Sequence, residues 1–180
     1  MYTITKQFDF CYGHRVWSQT LNSEFSLDSC LKCRHLHGHQ GTINISLEAE
    51  LLQEGMVTDF KHLNWFKKWL DDTLDHKFIM DADDPLRKVL FPLSFNTTPG
   101  FAPGQKDFSY WILQPGFVNA MLSPIKEMYE GLVFVPFVPT SENLSKWLFE
   151  IVQSKMKELN VKVSQIEFLE TPKSHSIYKP

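Results

Sequence analysis

Long apolar runs are missing from this sequence, and no stretch has the length of a membrane-spanning helix. Cysteine is scarce. Cys11, Cys30 and Cys33 are too few for a disulfide framework and suit a reducing compartment. Charge of one sign is not in excess either: 18 Lys and Arg stand against 21 Asp and Glu, a formal net charge of −3. That balance gives no basic field for nucleic acid or for an anionic membrane. The opening residues carry Lys6 and Asp9 within a strand-like pattern rather than a secretory signal, so a cytoplasmic location is expected. There is no internal repeat and no low-complexity tract. What is left, 180 residues with 43% hydrophobic and 22% charged content, reads as one soluble domain over residues 1–180 with its own core.

Histidine is where the sequence becomes specific. Residues 33–39 read Cys-Arg-His-Leu-His-Gly-His, and His14 lies upstream in Tyr-Gly-His-Arg. From His35 to Ala49 the odd positions His35, His37, His39, Ile43, Ile45 and Leu47 alternate with mostly polar even ones, the mark of a half-buried antiparallel strand. At the N-terminus the even positions Phe8, Phe10, Tyr12 and His14 repeat the pattern. Side chains two apart on a strand leave the same face. If the two strands pair, His14, His37 and His39 therefore converge on one metal ion. Gly38 lets a neighbouring chain approach closely. Cys33 shares the parity of the histidines, whereas Cys11 has the opposite parity to His14 and reads as a small hydrophobe on the other face.

The remaining chain divides into elements. Thr58 or Asp59 can cap a helix running to about Thr73, with Phe60, Leu63, Phe66, Leu70 and Leu74 on one face. Leu-Asp-His at 74–76 follows at its exit. Residues 132–138 look strand-like. Pro139-Thr140-Ser141-Glu142 opens a second helix whose stripe is Leu144, Leu148, Ile151, Val152 and Leu159. Val161, Val163, Ile166 and Phe168 suggest a strand leading to Glu170, and Ser176–Lys179 a short final one. Residues 83–131 fit no simple pattern. They are rich in proline but also in aromatics, which predicts an ordered, packed insertion with a short helix near 117–130, covering an active site or extending a subunit contact.

Five motifs occur in order: His14 in Phe-x-x-x-His, Cys-x3-His-Gly-His at 33–39, Leu-Asp-His at 74–76, Pro-Thr-Ser-Glu at 139–142 and Glu-Thr at 170–171. Together they resemble the 6-pyruvoyl-tetrahydropterin synthase family, and within it the bacterial branch that makes 6-carboxytetrahydropterin for queuosine biosynthesis. The resemblance covers about residues 2–82 and 132–179. It implies an α+β tunnelling fold, a four-stranded antiparallel sheet with two helices on one face. It also implies homo-oligomers, trimers or hexamers, with active sites between subunits. Carried onto this chain, His14, His37 and His39 are the Zn²⁺ ligands, and Cys33, Asp75 and His76 the catalytic trio. Glu170 anchors the pterin, with Thr140, Ser141 or Glu142 adding substrate hydrogen bonds. The implied reaction is that of a carbon–carbon lyase turning 7,8-dihydroneopterin triphosphate into 6-carboxy-5,6,7,8-tetrahydropterin, acetaldehyde and triphosphate.

These roles suit the residue types. Three neutral imidazoles leave a coordination position of zinc open, as in catalytic sites, and zinc acidifies bound hydroxyls. Thiolate favoured by nearby positive charge makes Cys33 a base. Asp75 can fix the tautomer of His76, and Glu170 can accept two parallel hydrogen bonds from a pterin edge. The short Cys33-to-His37 spacing resembles the carboxy-forming branch; the pyruvoyl-forming branch has a longer one. Alternatives are triphosphate elimination to 6-pyruvoyl-tetrahydropterin, a non-catalytic pterin- or zinc-binding relative, and a closed zinc site of Cys30, Cys33, His37 and His39. His35 would close the position a substrate needs, while His62 and His175 read as structural or exposed. Arg15, Lys32, Arg34 and Lys173 are the cations nearest the motifs.

Overall fold

Tyr2–His14 (β1) and His37–Ala49 (β2) run antiparallel from Tyr2 opposite Ala49 to His14 opposite His37. The two alternating patterns therefore pair over their full length. The computed structural model describes residues 1–20, 31–91, 97–100, 110–113 and 115–180. After β2, Asp59 caps a short 3₁₀ turn, Phe60–Leu63, by accepting from the Lys61 N–H at 2.8 Å, and Asn64–Thr73 continues as α1. Lys77–Asp81 forms β3, Arg87–Leu90 α2, Thr97–Gly100 β4, Tyr110–Leu113 β5, Pro115–Asn119 α3, Ile125–Glu130 α4 and Leu132–Val135 β6. Ser141–Lys157 is α5, Lys162–Thr171 β7 and Ser174–Tyr178 β8.

The described strands make one sheet in the order β4-β5-β6-β3-β1-β2-β7-β8. The four antiparallel strands expected are present, as part of a larger mixed sheet. The order β1-β2-β7-β8 supplies those four, but β3 joins β1 in parallel, β6 joins β3 in parallel, and β5 and β4 extend the sheet further. Both longer helices lie against the even face of β1. On α5 the stripe Leu144, Trp147, Leu148, Ile151, Val152 and Met156 is buried, a spacing of three and four that gives one apolar face. On α1 it is Phe66, Trp69 and Leu70, with Phe66 edge-on to Phe8 at 5.0 Å. These side chains share one core with Phe10, Tyr12, Ile43, Ile45 and Phe168.

The insertion contributes a second, smaller core of Met80, Phe91, Leu113, Val118, Tyr129, Leu132 and Phe134 on the far side of β3. Among the described residues, its aromatics Phe91 and Tyr129 are thus used in packing, and the helix expected near 117–130 is two short ones, α3 and α4. Among the described residues no helix is long and apolar enough to cross a membrane.

Candidate active site

Register builds the site. His14 stands directly opposite His37 and Tyr12 opposite His39, so three imidazoles emerge from one face at the end of the β1–β2 ribbon. One ligand atom from each of His14, His37 and His39 lies within 4.8 Å of the others. Ring centroids are 4.5 Å apart for His14 and His37, 5.2 Å for His14 and His39, and 5.0 Å for His37 and His39. Gly38 makes this approach possible, because a Cβ there would sit 2.8 Å from the Tyr12 carbonyl oxygen.

The outer nitrogens are fixed by the main chain. His14 Nδ1 donates to the Pro139 carbonyl at 2.7 Å, and His37 Nδ1 donates to the His35 carbonyl at the same distance. Each bond leaves the Nε2 lone pair facing inward, the arrangement by which proteins orient metal-binding histidines. Nε2 of His14 and of His39 is buried with no hydrogen-bond partner. Buried unsatisfied polar atoms are rare and costly, and two converging ones fit a divalent ion with nitrogen preference. His35 itself lies before the strand and offers its carbonyl rather than its ring.

Glu170 adds the negative charge. Its Oε1 is 3.3 Å from His14 Nε2 and 3.6 Å from His39 Nε2. The His14 contact holds the Glu170 carboxyl below its ordinary range, against the opposing effect of burial. Burial lowers the pKa of His39, Glu170 pulls it upward, and the other two imidazoles push it down. A neutral His39 is what metal binding requires. Tyr12 lines the same place, its ring 5.1 Å from His14 and 5.8 Å from His39, with a buried hydroxyl that has no partner. Burial, reinforced by Glu170, drives that phenol far above its ordinary pKa, so Tyr12 stays a neutral phenol. A cleft of about 550 Å³ along β2 and β7 is lined by His39, Glu170 and Thr171 and by Gln40, Thr42 and Asn44, whose side chains leave the face of β2 opposite to His39.

Asp75 and His76 are brought together elsewhere. His76 Nδ1 is 2.9 Å from Asp75 Oδ2, while the Cys11 N–H donates to Asp75 Oδ1 at 2.7 Å. The His76 N–H donates to the Cys11 carbonyl at 2.7 Å, and His76 has φ +58°, an irregular turn that lets adjacent side chains meet. Burial raises the pKa of Asp75, but the Cys11 N–H and His76 outweigh it and the carboxyl ends below its usual value. Cys11 thus sits beside the pair. It is exposed and not a packed hydrophobe. Its side chain leaves the face of β1 opposite to His14, so triad and pair occupy opposite sides of the sheet.

Cys33 is placed by a different device. The Val16 N–H donates to its carbonyl at 2.7 Å and ties the exposed turn Lys32–Arg34 to the end of β1. Its sulfur belongs to neither cluster, so a chain by itself does not assemble Cys33, Asp75 and His76. Cys30 lies outside the described residues. Thr140 caps α5, its hydroxyl accepting from the Asn143 N–H at 3.3 Å; the Ser141 carbonyl accepts from Ser176 Oγ at 2.7 Å, and Glu142 is exposed in the first helical turn. Their link to the triad runs through Pro139. Arg15 does not face the cleft, being buried with its Nε 3.0 Å from Asp84. Sequence reasoning missed the carbonyls of His35 and Pro139, which carry no side-chain signal. It missed Cys11 because its partners depend on the β1–β3 pairing.

The chain is similar along nearly its whole length to proteins of known family. A 6-carboxy-5,6,7,8-tetrahydropterin synthase of Aquifex aeolicus is 29% identical over 188 aligned positions, 98% of this chain and 96% of that protein. An uncharacterized protein of Wolinella succinogenes has a crystal structure matching at TM-score 0.89 and 51% identity, over 99% of this chain and 97% of that one. The 6-pyruvoyl tetrahydropterin synthase of Caenorhabditis elegans matches at TM-score 0.56 and 23% identity, over 99% and 95%, a likeness of fold alone. The family model of 6-pyruvoyl tetrahydropterin synthase spans residues 3–180, insertion included. With its histidine triad on paired strands and its sheet backed by two helices, this chain belongs to the 6-pyruvoyl tetrahydropterin synthase family of enzymes.

Proposed function

We propose that the protein is a zinc-dependent lyase that converts 7,8-dihydroneopterin triphosphate to 6-carboxy-5,6,7,8-tetrahydropterin, with release of acetaldehyde and triphosphate, in the 7-deazaguanine route to queuosine. The observation that carries this reading is the triad, three imidazoles from two strands with one ligand atom of each within 4.8 Å of the others, the buried Nε2 atoms of His14 and His39 having no hydrogen-bond partner. The Aquifex relative, named for this activity, supports the product. His14, His37 and His39 would hold the ion, which when bound supplies Lewis acidity to the hydroxyls of the substrate side chain.

The chain's own groups do the rest. Glu170 stands beside the His14 and His39 imidazoles and can accept from the N–H and amino groups along a pterin edge. The segment Thr140, Ser141 and Glu142 borders the site behind Pro139 and adds hydrogen-bonding groups. Asp75 holds the His76 ring by its Nδ1 and leaves the other nitrogen to give and take a proton. Cys33, exposed on its turn, is the base that removes a proton from the side chain.

Because the triad and the Asp75–His76 pair lie on opposite sides of β1, both can meet one substrate only if a second copy supplies one of them. We therefore infer a homo-oligomer, a trimer or a hexamer, with inter-subunit sites. Residues 1–180 act as one unit with an insertion at about 83–131, in the cytoplasm. The test is to supply 7,8-dihydroneopterin triphosphate to zinc-loaded protein and measure acetaldehyde together with product mass. Equimolar acetaldehyde and a carboxylated tetrahydropterin are expected. Triphosphate release without acetaldehyde would replace the lyase with the pyruvoyl-forming reaction, and no turnover would reduce the protein to a binder. Cys33→Ala should keep zinc and lose turnover, and His37→Ala should lose both.

A further inference from the structure

Cys11, Asp75 and His76 each present one metal-ligating atom within 4.8 Å of the other two, on the face of β1 opposite the histidine triad. Cys11 brings something the other two lack, a soft donor on a regular strand. Thiolate, carboxylate and imidazole form a donor set that borderline and soft divalent ions such as Zn²⁺, Co²⁺ and Cd²⁺ favour over Mg²⁺ or Ca²⁺.

The three are held in place before any ion arrives. Main-chain bonds do this: the Cys11 N–H donates to Asp75 Oδ1 and the His76 N–H donates to the Cys11 carbonyl, both at 2.7 Å. The left-handed backbone of His76, at φ +58°, is a conformation a non-glycine residue keeps only where its surroundings impose it. All three side chains reach solvent, His76 with 79% of its side chain exposed and Asp75 with 26%. Positions not filled by protein are open to water, the signature of an exchangeable site rather than a structural one.

We propose that Cys11, Asp75 and His76 form a second metal site, weaker than the triad and selective for thiophilic divalent ions. On the functional reading above, its occupancy engages the proton-transfer pair, so excess zinc inhibits the enzyme through this site while the triad zinc supports it.

Cobalt titration of the zinc-loaded protein tests the site without any assay of turnover. Cobalt bound by a thiolate shows a sulfur-to-metal charge-transfer band in the near ultraviolet, and cobalt bound by the imidazoles of the triad does not. The band should appear in the unaltered protein and in a Cys30→Ser, Cys33→Ser double variant. In Cys11→Ser it should be absent, and cobalt affinity at the second site should fall roughly tenfold or more. Asp75→Asn should keep the band but shift the titration to higher cobalt. No band at any tolerated cobalt concentration overturns the proposal, as does a band that survives Cys11→Ser or disappears only with Cys30 and Cys33. Inhibition by excess zinc, once turnover is established, should weaken at least tenfold in Cys11→Ser; unchanged inhibition would sink the regulatory part. Cys11 is exposed on a strand, so the substitution leaves the core intact. Absence of turnover would count against the lyase assignment and leave the spectroscopic result standing.

Discussion

Gly38 shows how narrow the tolerances are at single residues. A Cβ at this position would lie 2.8 Å from the Tyr12 carbonyl oxygen, a backbone atom that cannot rotate away. Gly38→Ala is expected to cost about 1–3 kcal/mol, as overpacking does, and to weaken zinc binding by forcing His37 and His39 away from His14. Urea unfolding and competition with a chromogenic chelator read the two effects separately. Asp75 makes a prediction about pH. Its folded pKa is depressed, so its stabilisation is complete above the unfolded value of about 3.9 and is lost as pH falls through the folded one. Asp75→Asn should flatten the acid side of the stability–pH curve and leave the alkaline side unchanged. A third residue-scale test concerns the Arg15–Asp84 pair, 3.0 Å apart with 10% and 0% of the side chains exposed. Asp84→Ala strands a buried guanidinium and should cost roughly 3–5 kcal/mol in thermal or urea unfolding.

At the scale of elements, the site depends on how each segment ends. β1 finishes at His14 and β2 begins at His37, so the triad lies where the ribbon stops and side chains need not alternate with a further pair. A slip of one residue would send His37 and His39 to the opposite face from His14. α5 starts one residue after its Thr140 cap, and the carbonyl of Pro139, just before that cap, receives the His14 Nδ1–H. The cap therefore anchors the His14 imidazole, a proposed metal ligand, as well as a helix. Thr140→Ala should cost about 1 kcal/mol and lower zinc affinity, whereas Leu148→Ala, fully buried in the middle of α5, should cost about 2–5 kcal/mol with zinc affinity kept. Comparing the two variants by denaturation and metal competition separates anchoring from general stability. The periodicity of α5 and of both long strands was plain in the sequence. β3 was not, because five residues flanked by an irregular turn carry too little pattern to tell a short parallel strand from a helix exit.

Over the whole molecule, the sheet separates the triad from the Asp75–His76 pair, and the proposed reaction would need association of copies to unite them. Mixed oligomers assembled from His37→Ala and Asp75→Asn subunits, each inactive alone, should regain part of the turnover, since some interfaces then join an intact triad to an intact pair. No regain on mixing would show that the pair does not serve a neighbour's triad. By itself the sequence determined the two paired strands, the two amphipathic helices and the identity of the three converging imidazoles, because strand parity and helical spacing are local properties that survive in one dimension. The tertiary structure alone decided that the described strands form one eight-stranded sheet, that Pro139 and His35 orient the imidazoles through their carbonyls, and that Cys11 stands with Asp75 and His76. Each of these joins segments far apart in the chain, or uses backbone atoms that every residue possesses, so no spacing of residue types along the sequence could announce it.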